Sequence, residues 1–220
     1  MMRNLCVYAL LCAALMSCNC NNKCDQNKCC QGGDGKNAVV EAIMSRRSIR
    51  EYKPEQIKPE ELQTILECGI NAPSAMNRQP WAVRTIQRKS LLDSMCTAFV
   101  EHIKQHADER MLKRISDPSY HPLFGAPTFI IVAADTANKY ALNDCGMLIQ
   151  NIQLAAESMD IGTCTIGSFM DYLRSPEGER FRQQLNLPEG YAIDLGITMG
   201  YKAQRPEAKP RDKAKAQVIE

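Results

Sequence analysis

The chain has 220 residues, of which 45% are hydrophobic and 24% are charged, with 27 Lys and Arg against 25 Asp and Glu. This length and apolar content suffice for one substantial core, and they exclude a disordered chain. The net charge of +2 excludes a strongly basic nucleic-acid-binding protein. Eleven cysteines are the unusual feature of the composition, and seven of them lie in the first 30 residues.

The N-terminal segment has the pattern of an export signal. A short basic start precedes an apolar run over residues 5–16 that is too short to cross a bilayer as a helix. The run leads into Ser17-Cys18, which resembles the lipobox of bacterial lipoproteins, with Met16 as an unusual residue. We therefore expect residues 1–17 to be a signal peptide and Cys18 to be lipidated, so that the protein is exported and membrane-anchored facing the periplasm. A plain secretory signal or an uncleaved anchor is the alternative.

Residues 18–36 are polar, contain glycine and show no apolar periodicity, which is typical of a flexible tether. Five cysteines lie in this segment, but their spacing does not match a paired C-x2-C zinc site. Disulfides within the tether are the preferred interpretation, and metal capture by its cysteines is the alternative.

The apolar pattern of a folded domain begins at about residue 37 and shows no internal repeat. Helices outweigh a small sheet whose strands lie far apart in the sequence, which favours an α+β fold. The predicted elements are, in chain order, a helix over 39–44, a helix that begins at 58–59, a loop over 72–80, a short strand over 82–87, a long helix over 91–115, a buried strand over 128–134, a core helix over 142–159, an apolar segment over 161–169, a helix near 177–185 and a strand over 191–199.

Few side chains offer acid–base or nucleophilic chemistry. His102 and His106 are four residues apart on a predicted helix, but position 103 is Ile rather than the Glu of H-E-x-x-H. We interpret this pair as a solvated helix face and predict no metal site. Cys145 and Cys164 lie in apolar runs and are interpreted as packed thiols. The sequence also lacks a G-x-G-x-x-G dinucleotide motif.

Three guanidinium groups and a hydroxyl lie within five residues where the first predicted helix ends, at Arg46, Arg47, Ser48 and Arg50. Guanidinium groups pair with phosphate oxygens in a bidentate geometry, and a hydroxyl adds one more donor. A second basic group, which includes Lys209 and Arg211, closes the chain. The two groups would form a phosphate clamp if they met; taken singly, each is equally consistent with a solvated charge run.

Two further segments offer hydrogen bonds to a flat polar ligand. The loop over residues 72–81 is rich in amide and hydroxyl groups and contains two prolines. The segment from Gly162 to Gly167 offers backbone donors, and its glycines permit close approach of a ligand.

These segments together resemble the FMN-dependent nitroreductase family. A single motif is weak, but the ordered set is specific. It covers about residues 37–211, which implies one domain over this range and a C-terminal tail over 212–220. The matching segments are Arg46-Arg47-Ser48-Ile49-Arg50 for the family's R-x-S-x-R/K, Pro73 to Trp81 for P-S-x-x-N-x-Q-P-W, Asp144 through Gly167 for the central helix and flavin-facing turn, and Gly200-Tyr201 with Lys209-Pro210-Arg211 for the closing basic segment.

The resemblance implies a nitroreductase-like α+β fold, in which helices flank a central mixed, mostly antiparallel sheet, and a domain-entwined homodimer with two FMN sites at the subunit interface. It also implies a role for each matching residue. Arg46, Arg47, Ser48 and Arg50 would hold the phosphate and ribityl chain, Lys209 and Arg211 would complete the phosphate clamp, Pro73, Ser74, Ala75 and Asn77 would approach the isoalloxazine from the partner subunit, and the backbone of Ile166 and Gly167 would face the reactive edge of the ring.

The activity implied by the resemblance is ping-pong hydride transfer through flavin N5, which requires no catalytic side chain. NADH or NADPH would be the electron donor, and a nitroaromatic, a quinone or a similar small molecule would be the acceptor. An exported protein is separated from the cytoplasmic NAD(P)H pool, so a different donor is the alternative. A second alternative is a flavin-binding electron-relay lipoprotein that does not turn over nitro compounds.

Overall fold

The computed structural model describes residues 37–106 and 108–220. The predicted signal peptide, the lipidation site at Cys18 and the Cys-rich tether lie outside this range. Residues 38–220 form one unit. In the described part of the chain, no helix combines the length and the apolar character that a membrane-spanning helix requires.

The unit contains helices α1 (Ala38–Ser45), α2 (Pro59–Ile70), α3 (Lys89–His106), α4 (Glu109–Ile115), α5 (Ala141–Ser158), α6 (Ser168–Arg174) and α7 (Glu179–Leu185), and strands β1 (Trp81–Ile86), β2 (Thr128–Asp135), β3 (Ile161–Ile166) and β4 (Tyr191–Tyr201).

The four strands form one sheet in the order β1-β2-β4-β3, and all three strand pairs are antiparallel. A parallel bridge between Ser48 and Thr163 adds one contact at the outer edge of β3. β2 is buried along nearly its whole length because it lies inside the sheet, which explains its continuous apolar sequence. The expected α+β fold, with helices beside a mostly antiparallel sheet, is confirmed.

The sheet separates two apolar clusters because successive residues of a strand point to opposite faces. Phe129 and Ile131 of β2 pack with α3, α6 and α7 on one face. Ile130 and Val132 pack with α2 and α5 on the other face. α5 is the central helix of the second cluster, and eight of its residues are buried, as the apolar sequence over 142–159 predicts.

Two predicted elements differ in detail. The single helix expected over 91–115 is two helices, because the Asp108 side chain accepts a hydrogen bond from the Met111 amide at 2.8 Å and begins α4. The apolar segment 161–169 contains the whole of β3 and the start of α6. A short apolar run does not distinguish a buried strand from a buried helix, so the sequence did not predict α6.

Candidate flavin-binding site

The segment over residues 46–53 lies along the outer edge of the sheet. The Ile49 amide donates to the Thr163 carbonyl of β3 at 2.9 Å, and the Lys53 amide donates to the Tyr201 carbonyl of β4 at 2.9 Å. Backbone hydrogen bonds at both ends therefore fix the direction in which the basic side chains of this segment leave the backbone.

Gly162 makes the close contact between this segment and β3 sterically feasible. A Cβ atom at Gly162 would lie 2.8 Å from Ile49 Cγ2, closer than real carbon contacts allow. The Ile49 side chain therefore occupies the space beside Gly162. A Cβ at Gly167, by contrast, would meet nothing within 4 Å, so the surface at the end of β3 is open.

Three of the four predicted phosphate-binding residues near α1 are neighbours of the buried Cys164. Ser48 forms a bridge with Thr163 of β3, and the Arg50 guanidinium donates to the Ser48 carbonyl at 3.4 Å. Burial raises the pKa of Cys164, while the charge of Arg50, a hydrogen bond from Ser48 and the charge of Arg46 act in the opposite direction. The Arg50 guanidinium also lies 5.7 Å from the centroid of the Phe124 ring. Arg46, Ser48 and Arg50 are therefore grouped beside β3, and their role in holding a phosphate stays a prediction.

Arg47 has a different environment from its neighbours. Its guanidinium donates to the carbonyls of Met44 at 2.7 Å and Arg46 at 2.9 Å. The last carbonyls of a helix lack partners within the helix, and Arg47 supplies a hydrogen-bond donor to one of them at the end of α1.

Lys209 and Arg211 lie exposed in the segment that follows β4. The Arg211 guanidinium donates to the Lys209 carbonyl at 3.1 Å. Within residues 108–220 and 37–106, no hydrogen bond or ion pair joins these two residues to the group beside β3. The clamp that joins both basic groups stays a prediction.

The loop between α2 and β1 has an unusual backbone. Met76, Asn77 and Gln79 have φ values of 54°, 52° and 48°, in the left-handed region that non-glycine residues rarely adopt. The Ser74 hydroxyl accepts a hydrogen bond from the Gln79 amide at 2.9 Å and closes the loop. Such backbone strain costs about 1–3 kcal/mol for each residue and is typical of binding sites.

Asp144 of α5 anchors this loop and was not predicted as a site residue. Asp144 is 2% exposed, and its carboxylate accepts a hydrogen bond from the Ala75 amide at 3.2 Å. Ser74 and Ala75 are half-buried, whereas Pro73 and Asn77 are exposed. The buried Asp144 therefore holds the loop while the polar side chain of Asn77 faces outward. The only sequence signal for this role was an acidic residue within an apolar helix.

Ile166 and Gly167 lie where β3 ends and α6 begins. The Ile166 side chain is buried, so it is the backbone that a ligand at this position would meet. The Gly167 carbonyl accepts from the Met170 amide at 2.8 Å, which fixes the start of α6.

The buried cysteines are packed thiols, as predicted. Burial raises the pKa of Cys145 to about 12 and also raises the pKa of Cys164. A thiol with a raised pKa forms little thiolate at neutral pH and is a poor nucleophile. The candidate site thus offers arginines, a hydroxyl and backbone groups to a ligand.

Comparison with known proteins identifies the fold and its relatives. A nitroreductase with bound FMN from Desulfitobacterium hafniense is 34% identical, with a TM-score of 0.78 and coverage of 84% of this chain and 100% of that chain. A nitroreductase with bound FMN from Bacteroides fragilis is 28% identical, with a TM-score of 0.76 and the same coverage. The NADPH-flavin oxidoreductase of Vibrio harveyi is 27% identical over 177 residues, which cover 80% of this chain and 70% of that protein.

The family model described as "Nitroreductase family" matches residues 43–201, a range that begins in α1 and ends with the last residue of β4. This range contains the basic residues beside β3, the strained loop and the end of β3. The chain therefore belongs to the nitroreductase family.

Proposed function

We propose that the protein is an FMN-dependent oxidoreductase that transfers hydride from NADH or NADPH to nitroaromatic, quinone or similar acceptors in a ping-pong cycle. The observation that carries this proposal is the grouping of Arg46, Ser48 and Arg50 beside β3 in a member of this family. The proposal is supported by the two FMN-containing relatives and by the NADPH-flavin activity named for the relative from Vibrio harveyi.

The residues of the site fit the chemical groups of FMN. Two guanidinium groups and a hydroxyl match a phosphate, and the open surface at Gly167 leaves room for a ring beside the backbone at the end of β3. FMN, when bound, supplies hydride transfer at its N5 atom. The chain then has to hold the phosphate, orient the ring and position the donor and the acceptor.

A domain-entwined homodimer is part of this proposal. Ile43 and Met44 of α1 are 50% and 70% exposed, and Ile70 at the end of α2 is 51% exposed. Large apolar side chains exposed together are typical of a protein–protein contact. A second subunit on this surface would explain their exposure, and the strained loop after α2 would then face the partner's FMN.

The direct test is anaerobic reduction of the FMN-loaded protein with NADH and, separately, NADPH. We expect the flavin absorption band to bleach with at least one donor and to return when a nitroaromatic or a quinone is added. Purified protein that neither contains nor takes up FMN would refute the proposal. Bound FMN that neither nicotinamide reduces, and that passes no electrons to any such acceptor, would favour the electron-relay alternative.

A double substitution tests the phosphate site. Arg46→Ala with Arg50→Ala should raise the dissociation constant of FMN at least tenfold, because each charge-assisted hydrogen bond contributes about 1.5–3 kcal/mol. The matched control is Arg110→Ala with Lys113→Ala, which removes two positive charges from α4. Equal FMN affinity in the two double variants would contradict the assignment of the phosphate site.

We also propose that the protein is exported and anchored through a lipid on Cys18; this rests on the sequence of the N-terminal segment alone. The test is membrane fractionation of cells that express the wild-type chain or Cys18→Ala. We expect the wild-type chain in the membrane fraction and the variant in the soluble fraction. An exported protein would need an electron donor outside the cytoplasm, so activity with NAD(P)H and this location have to be tested separately.

A further inference from the structure

The end of α3 and the turn before α7 bring together three metal-binding side chains. His102 and His106 lie on the last turns of α3, and Glu177 lies in the short 3₁₀ turn at Pro176–Gly178. One nitrogen of each imidazole and one carboxylate oxygen all lie within 4.8 Å of one another. The two imidazole rings are 4.6 Å apart between centroids.

His102 has a buried nitrogen without a hydrogen-bond partner. Its Nδ1 atom is inaccessible to solvent and makes no hydrogen bond, and the nearest acidic oxygen is Glu177 Oε2 at 3.7 Å. That distance is too long for a hydrogen bond. It is short enough for two ligands of one ion, because Zn²⁺ holds nitrogen and oxygen ligands at about 2.0–2.2 Å each.

The neighbouring residues hold these side chains in place. The His102 ring packs 5.2 Å from the buried Tyr172 ring between centroids. Glu177 Oε2 accepts a hydrogen bond from the Ser175 hydroxyl at 2.7 Å, and this bond lowers the pKa of the Glu177 carboxyl. A hydrogen bond to a metal-binding carboxylate orients the ligand in many metal sites.

We propose that His102, His106 and Glu177 bind one divalent transition-metal ion, for which Zn²⁺ is the best fit. Two imidazoles and one carboxylate suit Zn²⁺ and leave a fourth position for water. The sequence favoured a solvated helix face because position 103 is not Glu, and the exposed His106 agrees with that interpretation. The half-buried His102 does not, and the third candidate ligand comes from a distant part of the sequence.

A metal at this position would connect the end of α3 to the turn between α6 and α7. An ion that binds only the folded state raises the free energy of unfolding. It would therefore stabilise the apolar cluster in which Phe129 and Ile131 pack with α3, α6 and α7. The proposal is independent of FMN chemistry, since the three residues lie on elements other than those that carry Arg46, Ser48 and Arg50.

The test is an isothermal calorimetric titration of the metal-free full-length chain with zinc chloride. The protein should carry no polyhistidine tag and should have Ser in place of the seven cysteines of residues 1–30, so that thiolates of the tether do not bind zinc. We expect one zinc ion per chain. His106→Gln and Glu177→Gln should each weaken binding at least tenfold, since even loss of an outer-shell partner typically costs about 10–100-fold.

Glu101→Gln is the matched control, because Glu101 is an exposed acid adjacent to His102 that pairs with Lys104. It should keep the zinc affinity of the parent. His106 and Glu177 are exposed, so their variants should fold, and an unchanged unfolding temperature without zinc verifies this. Zinc should raise the unfolding temperature of the parent and of Glu101→Gln only. No saturable binding, or equal affinity in Glu177→Gln and Glu101→Gln, would overturn the proposal.

Discussion

One carboxylate, that of Asp144, holds the strained loop in position from inside the core. Replacing it with Ala leaves the Ala75 amide without its acceptor, which costs about 1–3 kcal/mol. We expect Asp144→Ala to lower the free energy of unfolding by this amount and to weaken FMN binding, because the loop loses its anchor. Urea unfolding and FMN fluorescence titration measure the two effects.

Asp144→Asn is the control for this prediction, since its amide oxygen still accepts a hydrogen bond from Ala75. The Asn variant should keep most of the stability that the Ala variant loses. If Asn and Ala are equally destabilised, the hydrogen bond to Ala75 is not what Asp144 contributes.

Gly162 allows a prediction about the contact between β3 and the basic segment. Gly162→Ala places a methyl group 2.8–2.9 Å from three side-chain atoms of Ile49, so one of the two segments has to move. Overpacking of this kind typically costs about 1–3 kcal/mol, and we expect a loss of that size in urea unfolding together with weaker FMN binding.

Gly146→Ala serves as the stability control, because a Cβ there meets nothing within 4 Å and Ala favours the α5 helix. It should leave the free energy of unfolding unchanged or higher. A loss in Gly146→Ala equal to that in Gly162→Ala would show that close contact with Ile49 is not the cause.

At the residue scale, the sequence alone shows that Arg46, Ser48 and Arg50 lie close together, because all three fall within five residues. It did not predict that Arg47 would bond to the end of α1, since the order of the residues does not reveal which carbonyls lack partners. The role of Asp144 depends on a contact across 69 positions, which no local pattern records.

At the scale of elements, a buried ion pair joins the end of β4 to α5. Lys202 and Glu157 are 6% and 9% exposed at the side chain and lie 2.9 Å apart. The second Glu157 oxygen accepts from the Ser45 hydroxyl at the end of α1 at 3.0 Å. Three elements thus meet at one carboxylate beside the basic segment.

Lys202→Met should destabilise the protein by about 3–5 kcal/mol, because it leaves the Glu157 carboxylate buried without its cation. The surface pair of Lys89 and Asp93, whose side chains are 85% and 52% exposed, is the control. Lys89→Met should change the free energy of unfolding by about 1 kcal/mol or less. A similar small change in Lys202→Met would mean that water reaches Glu157.

The neighbouring pair of Arg205 and Asp160 predicts a pH dependence. The Arg205 hydrogen bond at 2.6 Å, assisted by Lys202, holds the pKa of Asp160 below its ordinary value of 3.8. A carboxyl with a lowered pKa in the folded state stabilises the protein above its ordinary pKa and loses that contribution as the pH falls through the lower value.

Arg205→Gln should therefore be slightly less stable than the wild type at neutral pH, and the difference should be small because the pair is exposed. The difference should shrink as the pH falls below 3.8 and vanish once the pH is below the lowered pKa of Asp160. Free energies of unfolding measured across this range provide the test, and a difference that persists at the acid end would contradict the assigned role of Asp160.

The elements themselves show what a sequence pattern can predict. α5 and β2 were predicted because each is long and strongly patterned, with eight buried residues in α5 and nearly continuous burial in β2. α6 has only seven residues, which is too few for its apolar side chains to show a helical period that distinguishes a helix from a strand. The separation of α3 from α4 depends on one capping residue, Asp108.

For the whole molecule, the proposed homodimer makes the oligomeric state and FMN content depend on each other. Met44→Glu places a charge on the exposed apolar surface of α1, and we expect it to shift the protein from dimer to monomer and to lower its FMN content. Leu112→Glu, which adds a charge at an exposed apolar residue of α4, is the control and should stay dimeric. Sedimentation and flavin absorbance measure both properties.

If the Met44→Glu variant remains dimeric and retains FMN, the contact between the subunits does not lie on the α1 surface. The sequence could not locate this surface, because an apolar helix that packs within its own chain and one that packs on another chain have the same pattern. Only the exposure of Ile43 and Met44 in the folded chain separates the two cases.

The bridge between Ser48 and Thr163 has a consequence for solubility as well. β3 is an edge strand, and the free backbone groups of such a strand attract strands of other molecules and promote aggregation. The segment that carries Arg46 and Arg50 covers part of this edge. The segment that carries the proposed phosphate-binding residues therefore also protects the sheet. A change that detaches it would reduce the yield of soluble protein before any loss of activity could be measured.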